Sequence, residues 1–551
     1  MIDHCKLIIF HYHFLTGGVT TVVRQAVEAF RAHMTEIRSI ELVAGVIPEA
    51  FRQQMDRYAG KCTVVPQIGY SQPAGGAATA AAANATAGSV EGYRKQVAEQ
   101  AGRLAERLLS RFGSDDSVWW VHNYHLGKNP VFTQALLEII HSGRPQRIIL
   151  QIHDFPECGR FQNLGILKQS LSLDPYPASP WVRYAVLNQR DRTVLTAAGI
   201  PESAVFLLEN PVLRSRPTEG GESIAPALKR LFGSRFPRYD PRAPVLLYPI
   251  RTIRRKNALE ALLLCLLLNR TANILITLPG ISAAERGYSD LVEGLFAERL
   301  CPGLWGIGSD LEEQGLGFGD LVAGSDLVLS TSVQEGFGYL FINSLLWSLP
   351  LAARDLDTLA GVKDLFQEYP ACFYDTIRVP VSDSPSLAEA YRRKIQGLSG
   401  LIPEAERERL LATADTLVRD GLVDFSFLPV PEQNELLRKI AAGQSAALKQ
   451  CRQENGAVLS KIEDLLSPGM KPAAGSGSHK SEEVDARFGA AAYAAGFQRI
   501  IGSFDSLSAA AAVSTAAVPT AAVSPRDGDG IWDEVLKAFL KLENLRLIYD
   551  Y

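Results

Sequence analysis

Short apolar runs of strand character alternate with segments of helical spacing along this chain, and the alternation occurs twice. The first series runs "KLIIFHYHF" (from Lys6), "IRSIELVAG", "KCTVVPQIG", "SVWWVHNYH", "RIILQIHDF", "YAVLNQ" and "VFLLENPV". Helical patterns such as "GGVTTVVRQAVEAFRAH" and "NPVFTQALLEIIHSG" separate them. Runs that are apolar almost throughout fit strands covered on both faces, and helices between them make the crossovers of a parallel sheet. The rhythm breaks at "RSRPTEGGESIAPALKRLFGSRFPRYDPRAP", rich in Pro, Gly and Arg. It resumes with "VLLYPIR", "NILITLPG", "LWGIGSD", "DLVLSTS" and "LPLAARD". The pattern predicts an α/β chain of two Rossmann-like domains facing each other across a cleft. Their expected bounds are 1–215 and 243–455, with a linker over 216–242.

A length of 551 residues suits two such domains and leaves chain over. A low-complexity insertion at about 71–90 and a low-complexity extension over 456–530 are rich in Ala, Gly, Ser and Thr. Such stretches bury little apolar surface to offset their ordering entropy. Residues 531–551 carry apolar side chains at helical spacing and predict an amphipathic helix docked on the body, with a partner-binding or membrane-facing helix as the alternative. The net charge of −4 gives no case for a nucleic-acid partner. Seven scattered cysteines, none in a Cys-x-x-Cys pair, argue for a reducing compartment and against a zinc site. The longest apolar run, "ALEALLLCLLLN" from Ala258, is too short to span a bilayer and predicts a buried helix. A soluble, cytoplasmic protein is expected, with peripheral membrane contact left open.

Three segments could carry chemistry. Gly17 and Gly18 stand between a strand and a helix, where the backbone can approach a ligand and helix N–H groups face an anion. They lack both the full Gly-x-Gly-x-x-Gly pattern and the Lys of a P-loop, so a plain structural turn competes. "YPIRTIRRKN" follows the first strand of the second series and gathers Arg251, Arg254, Arg255 and Lys256. Loops at the C-terminal edge of an open α/β sheet are where ligands bind, and these cations suit a diphosphate. A solvated basic loop is the alternative. "SVQEGFG" places Glu335 just before Gly336, Phe337 and Gly338 at the start of a helix; its carboxylate can accept hydrogen bonds from sugar hydroxyls, or it is a simple capping turn.

Taken together, the order and spacing of these segments resemble the retaining glycosyltransferases of the family 4 type, which have a GT-B fold. The likeness rests on the Gly-Gly turn, Arg251 followed five positions later by Lys256, "LLENPV" (Leu207 to Val212), and Ser332 with Glu335 to Gly338. It covers roughly the first 450 residues. It implies that Gly17 and Gly18 lie near the diphosphate and acceptor. Arg251 and Lys256 would neutralise the departing diphosphate, and Glu335 would hold donor-sugar hydroxyls. The backbone of Gly336, Phe337 and Gly338 would line the donor pocket. His153, in "QIHDF", is similar to a first-domain His beside the transferred sugar. Within "HNYHLGKNP", Asn123 and His125 are acceptor-side candidates.

One position departs from the family pattern. Asn343, eight positions after Glu335, stands where a second Glu receives the nucleotide ribose. A carboxylate accepts from both ribose hydroxyls, whereas an amide offers one acceptor and one donor group. The expected activity is a glycosyltransferase moving a sugar from a nucleotide-sugar donor, with retention, without a metal and without a resident cofactor. The acceptor is left open among glycan, lipid and small molecule. Two alternatives share the architecture: a non-catalytic module that binds a sugar nucleotide or a partner, and a sugar-nucleotide epimerase.

Overall fold

The computed structural model describes residues 4–71, 87–212, 224–381, 384–472, 477–505 and 530–550. Two parallel sheets dominate it, the two-sheet α/β plan expected of a GT-B chain. The first contains β1 (Cys5–His13), β2 (Ile37–Val46), β3 (Lys61–Val64), β4 (Ser117–His122), β5 (Arg147–Ile152), β6 (Val182–Val186) and β7 (Val205–Leu207), in the order β3-β2-β1-β4-β5-β6-β7. The second contains β8 (Val245–Arg251), β9 (Asn273–Leu278), β10 (Gly303–Trp305), β11 (Leu327–Ser330), β12 (Leu351–Arg354) and β13 (Ala371–Tyr374), in the order β10-β9-β8-β11-β12-β13. A small antiparallel pair, β14 (Arg378–Pro380) and β15 (Leu422–Asp424), flanks it.

Burial explains the apolar runs. Every residue of β4 is buried, with Trp119 packing on Phe10 of β1 and Trp120 turned to the opposite layer. Strand order reverses between β1 and β4 in one sheet and between β8 and β11 in the other. Loops leaving adjacent strands there diverge to opposite faces and open a crevice. The loops after β1, β4, β8 and β11 are the ones the sequence marks with Gly17–Gly18, "HNYHLGKNP", "RTIRRKN" and "SVQEGFG".

Several expectations about the connecting segments need correction. Within the expected linker 216–242, residues Ile224–Phe232 form a helix whose Ile224, Leu228 and Phe232 enter the second domain's core. Within the expected extension 456–530, the described residues are helical over Gly456–Leu465, Gly477–Phe488 and Ala490–Gly502. The last of these returns to the first domain and packs on the helix Gly18–His33, with Phe497 stacked on Phe30 at 4.4 Å and Tyr493 at 5.8 Å. Its Ala and Gly residues give it the look of a linker, but Tyr493, Phe497, Ile500, Ile501 and Phe504 make a helical stripe that buries well. Most of the insertion at 71–90 lies outside the described residues; 87–90 open the helix Ala87–Phe112.

The final segment touches both domains. The helix Ile531–Phe539 lies on the first, where Trp532 Nε1 donates to Glu157 Oε1 (2.7 Å) and Phe539 meets Phe155 at 4.9 Å. The 3₁₀ stretch Leu542–Asp550 crosses to the second, where Leu545 is fully buried and Arg546 approaches Asp424 at 3.5 Å. No helix among the described residues is long and apolar enough to cross a membrane. All seven cysteines are unpaired.

Candidate functional site

The second domain contributes a charged cluster at its switch point. Lys256 closes the one-turn 3₁₀ helix Arg254–Lys256 after β8, and Glu335 lies in the loop after β11. Their side chains form an ion pair, with Arg255 Nη1 3.9 Å from the other Glu335 oxygen. The two loops are sewn together. Tyr248 donates to the Lys256 carbonyl (2.5 Å) and meets Ser332 Oγ at 3.0 Å, while Thr331 donates to the Asn257 carbonyl (2.9 Å). Burial opposes ionisation of Glu335, but the Lys256 and Arg255 charges outweigh it and hold its carboxyl below the usual range. Burial lowers the Lys256 ammonium, and Glu335 only partly offsets that.

Behind this cluster sits a buried network. Arg354 spans Glu260 (2.6 Å) and Asp424 (2.5 Å), and Glu260 accepts from Asn257 Nδ2 (2.8 Å). Asn257 has φ +52°, so its left-handed turn, which sets Lys256 at the cleft, is held by a side chain anchored in the core.

Arg251 stands apart from Glu335. It ends β8 with its side chain about a third exposed and its guanidinium 3.8 Å from Glu285. The cation beside Glu335, in addition to Lys256, is therefore Arg255. Sequence order alone could not choose between the arginines of "RTIRRKN", because the choice depends on the one-turn helix that rotates Arg255 inward.

The first domain faces this cluster with the loop after β5. His153 Nε2 lies 2.9 Å from His122 Nδ1, and the His153 N–H donates to Asn123 Oδ1 (2.8 Å). Burial pushes His153 down to about 4 and His122 well below its ordinary value, so both rings are neutral at pH 7. Asp154 pairs with Arg160 at 3.0 Å and also feels Arg255 across the cleft. The Glu335 loop is clasped by the first domain. Asn188 Nδ2 donates to the Gly336 carbonyl (2.8 Å) and Gln334 Nε2 to the Cys158 carbonyl (2.8 Å). A Cβ on Gly336 would stand 2.6 Å from the His153 carbonyl oxygen, so only glycine permits this approach.

The remaining sequence candidates fall into two groups. Gly17 precedes the helix Gly18–His33, and a Cβ on Gly18 would meet nothing within 4 Å. The space over that helix end is open. Phe337 turns inward instead, packing on Tyr339 and Phe488 at 4.9 and 5.6 Å. Gly338, at φ +81°, starts the helix Tyr339–Leu346, which carries the partly buried Asn343. Glu335 and Asn343 thus do not share one continuous helix, because the left-handed turn at Gly338 separates them. Asn123 and His125 do not line the cleft. Asn123 is 5% exposed and supports the His153 backbone, and His125 is fully buried against Phe155 and Tyr176. Loop curvature turns these side chains in and leaves their neighbour Lys128 exposed. Side-chain direction in an irregular loop has no period that sequence could reveal.

Among the described residues no group of three or more His, Cys, Asp or Glu is placed to hold a metal ion.

No protein-family model matches the chain. It is 30% identical over 560 aligned positions to mannosylglucosyl-3-phosphoglycerate synthase of Petrotoga mobilis, spanning 99% of this chain and 100% of that protein. Among solved structures it is similar to Anabaena HepE in complex with UDP-glucose, at 13% identity over 80% of this chain and 100% of that one, with a TM-score of 0.43. It is also similar to sucrose-phosphate synthase of Thermosynechococcus elongatus, at 14% identity over 82% and 100% of the two chains, again with a TM-score of 0.43.

Proposed function

The chain belongs to the glycosyltransferase family of the Petrotoga mobilis mannosylglucosyl-3-phosphoglycerate synthase, and from that membership we propose that it transfers a mannosyl group from a nucleotide-activated donor to glucosyl-3-phosphoglycerate. The observation that carries this reading is the Lys256–Glu335 pair at a switch point, facing neutral His153 across a cleft, in a chain similar to that synthase over its full length.

The chemistry follows from the charges. The bond from the donor's anomeric carbon to phosphate breaks, and negative charge grows on the diphosphate. In this reading Lys256, Arg255 and the loosely held Arg251 take up that charge, most strongly in the transition state. These cations do the work without a metal in the proposed reaction, and no resident cofactor is invoked. Glu335, kept ionised, accepts hydroxyl hydrogen bonds from the donor sugar. Neutral His153 bonds a sugar hydroxyl without adding positive charge beside the anomeric carbon. Gly17 and Gly18 leave room for the phosphates and acceptor over the helix end. Asn343 receives the ribose. The acceptor hydroxyl attacks from the face the diphosphate leaves and gives its proton to the departing phosphate oxygen, so configuration is retained.

The test is incubation with glucosyl-3-phosphoglycerate and a panel of nucleotide sugars, read by mass spectrometry, with the anomer assigned by NMR. A product heavier by one hexosyl unit, formed from a nucleotide-mannose with the donor's anomeric configuration, is expected. Absence of that product with every mannose donor refutes the acceptor and donor assignment; an inverted anomer refutes retention.

A further inference from the structure

We propose that Lys128 and Arg160 form the site that receives the acceptor's phosphate, on the first-domain wall of the cleft; this rests on the phosphoglycerate reading above. Both residues leave the C-terminal edge of the sheet: Lys128 in the loop after β4, Arg160 at the cap of the helix Phe161–Ser170 after β5. Each is within reach of the other's charge.

The two loops are built into one unit. Asn163 Nδ2 donates to the Leu126 carbonyl (2.6 Å). Gly127 sits at φ +67°, and a Cβ there would come within 2.7 Å of the Asn163 carbonyl oxygen. A third strand end joins them, since Asn129 Nδ2 donates to the carbonyls of Gln67 (2.8 Å) and Gly69 (2.6 Å), while Ser71 donates to the Lys128 carbonyl (3.1 Å). This brings Tyr70 under the Lys128 ammonium, 5.8 Å from ring to nitrogen, and against His13 at 4.8 Å. Three loops thus fix where a long, flexible lysine points.

Charge balance supplies the ligand class. Apart from the Arg251–Glu285 pair, four cations across the cleft (Lys128, Arg160, Arg255, Lys256) face two carboxylates, Asp154 and Glu335. Arg255 and Lys256 lie on the donor side. Arg160 pairs with Asp154 on the other side, with Lys128 close enough to feel the Arg160 charge, and the acceptor enters there in the proposed reaction. Arg160 bonds Asp154 at 3.0 Å, and a guanidinium can hold a carboxylate and a phosphate oxygen on different N–H groups. Among the described residues Lys128 meets no carboxylate. Tyr70 also walls a groove of about 460 Å³ with Arg103 and Arg107.

The experiment is calorimetric titration of the full chain with 3-phosphoglycerate and with glycerate, for the parent, Lys128→Ala and Lys128→Arg. Steady-state transfer to glucosyl-3-phosphoglycerate and to glucosylglycerate is measured alongside. We expect the parent to bind 3-phosphoglycerate at least tenfold tighter than glycerate, Lys128→Ala to lose that tenfold preference, and Lys128→Arg to regain most of it. In transfer, Lys128→Ala should raise the acceptor KM at least tenfold for the phosphorylated acceptor only, with kcat changed less than threefold. A parent that binds the two anions alike, or a Lys128→Ala protein that binds 3-phosphoglycerate as the parent does, overturns the site. Lys128-dependent binding without transfer to glucosyl-3-phosphoglycerate leaves the site standing and refutes the acceptor assignment instead.

Discussion

Replacing Lys256 with Ala should damage catalysis and stability by separable amounts. In the folded chain its ammonium contacts Glu335, with side chains only 17% and 11% exposed. Losing a charge-assisted contact used in the transition state costs about 2–4 kcal/mol, or ~30–1,000-fold in kcat/KM. The folding cost is smaller. Breaking a fully buried pair costs ~3–5 kcal/mol. Here Arg255 remains 3.9 Å from Glu335 and the pair borders an open cleft, so about 1–3 kcal/mol is expected. A double-mutant cycle distinguishes the two costs. Glu335→Gln in the Lys256→Ala background removes the stranded carboxylate and should restore most of the lost stability, while transfer stays low. The assays are urea unfolding at pH 7.5 and initial rates of hexosyl transfer. Lys256→Ala turning over donor within threefold of the parent would refute the charge-clamp argument. Equal stability of the single and double variants would show that Glu335 is not stranded, and the coupling inferred from the geometry would be wrong.

Two further outcomes follow from packing and titration. Phe497→Ala removes a fully buried ring stacked on Phe30 and near Trp120, and should cost about 3–5 kcal/mol in urea unfolding; a loss under ~1 kcal/mol would mean that the returning helix adds little to the first domain. Burial raises the Glu157 carboxyl to about 7, despite bonds from Tyr176 (2.8 Å) and Trp532. Because the folded value lies above the unfolded one, its contribution is complete below pH ~4.5, falls as pH rises and is gone above ~7, on the order of 3 kcal/mol in all. Trp532 emission, taken as the difference from a Trp532→Phe protein, should shift toward that of exposed indole between pH 6 and 8, and Glu157→Gln should abolish the shift. A pH-independent difference spectrum in the parent would refute the assignment.

The two sheets were legible because a strand covered on both faces is apolar almost throughout, and "KLIIFHYHF" and "DLVLSTS" fit that pattern. The placement of Gly17, Lys256 and Glu335 in loops after strands followed from strand ends alone; that those strands flank the switch points needed the strand order. What sequence could not give was side-chain direction in irregular loops. Arg251 and Arg255 differ by four positions in one basic run, yet only the one-turn helix brings Arg255 to Glu335. Asn123, His125 and Lys128 lie in one loop, and only the fold shows that the first two turn in. The helices between Gly456 and Gly502 were obscured by composition, since alanine dilutes the large apolar side chains that mark a core helix while improving both helix propensity and close packing.

The segment from Ile531 to Asp550 also makes the cleft's geometry a linked equilibrium. It holds the first domain through Trp532 and Phe539, and the second through Leu545 and Arg546, whose carboxylate partner Asp424 belongs to the network behind Lys256. The domains cannot swing apart without one of those two attachments letting go. By thermodynamic reciprocity, any substrate that favours the clasped arrangement must strengthen both attachments by the free energy it gains from them. The tightness of this segment is therefore a gauge, read far from the sugar, of how firmly the two halves grip their substrates.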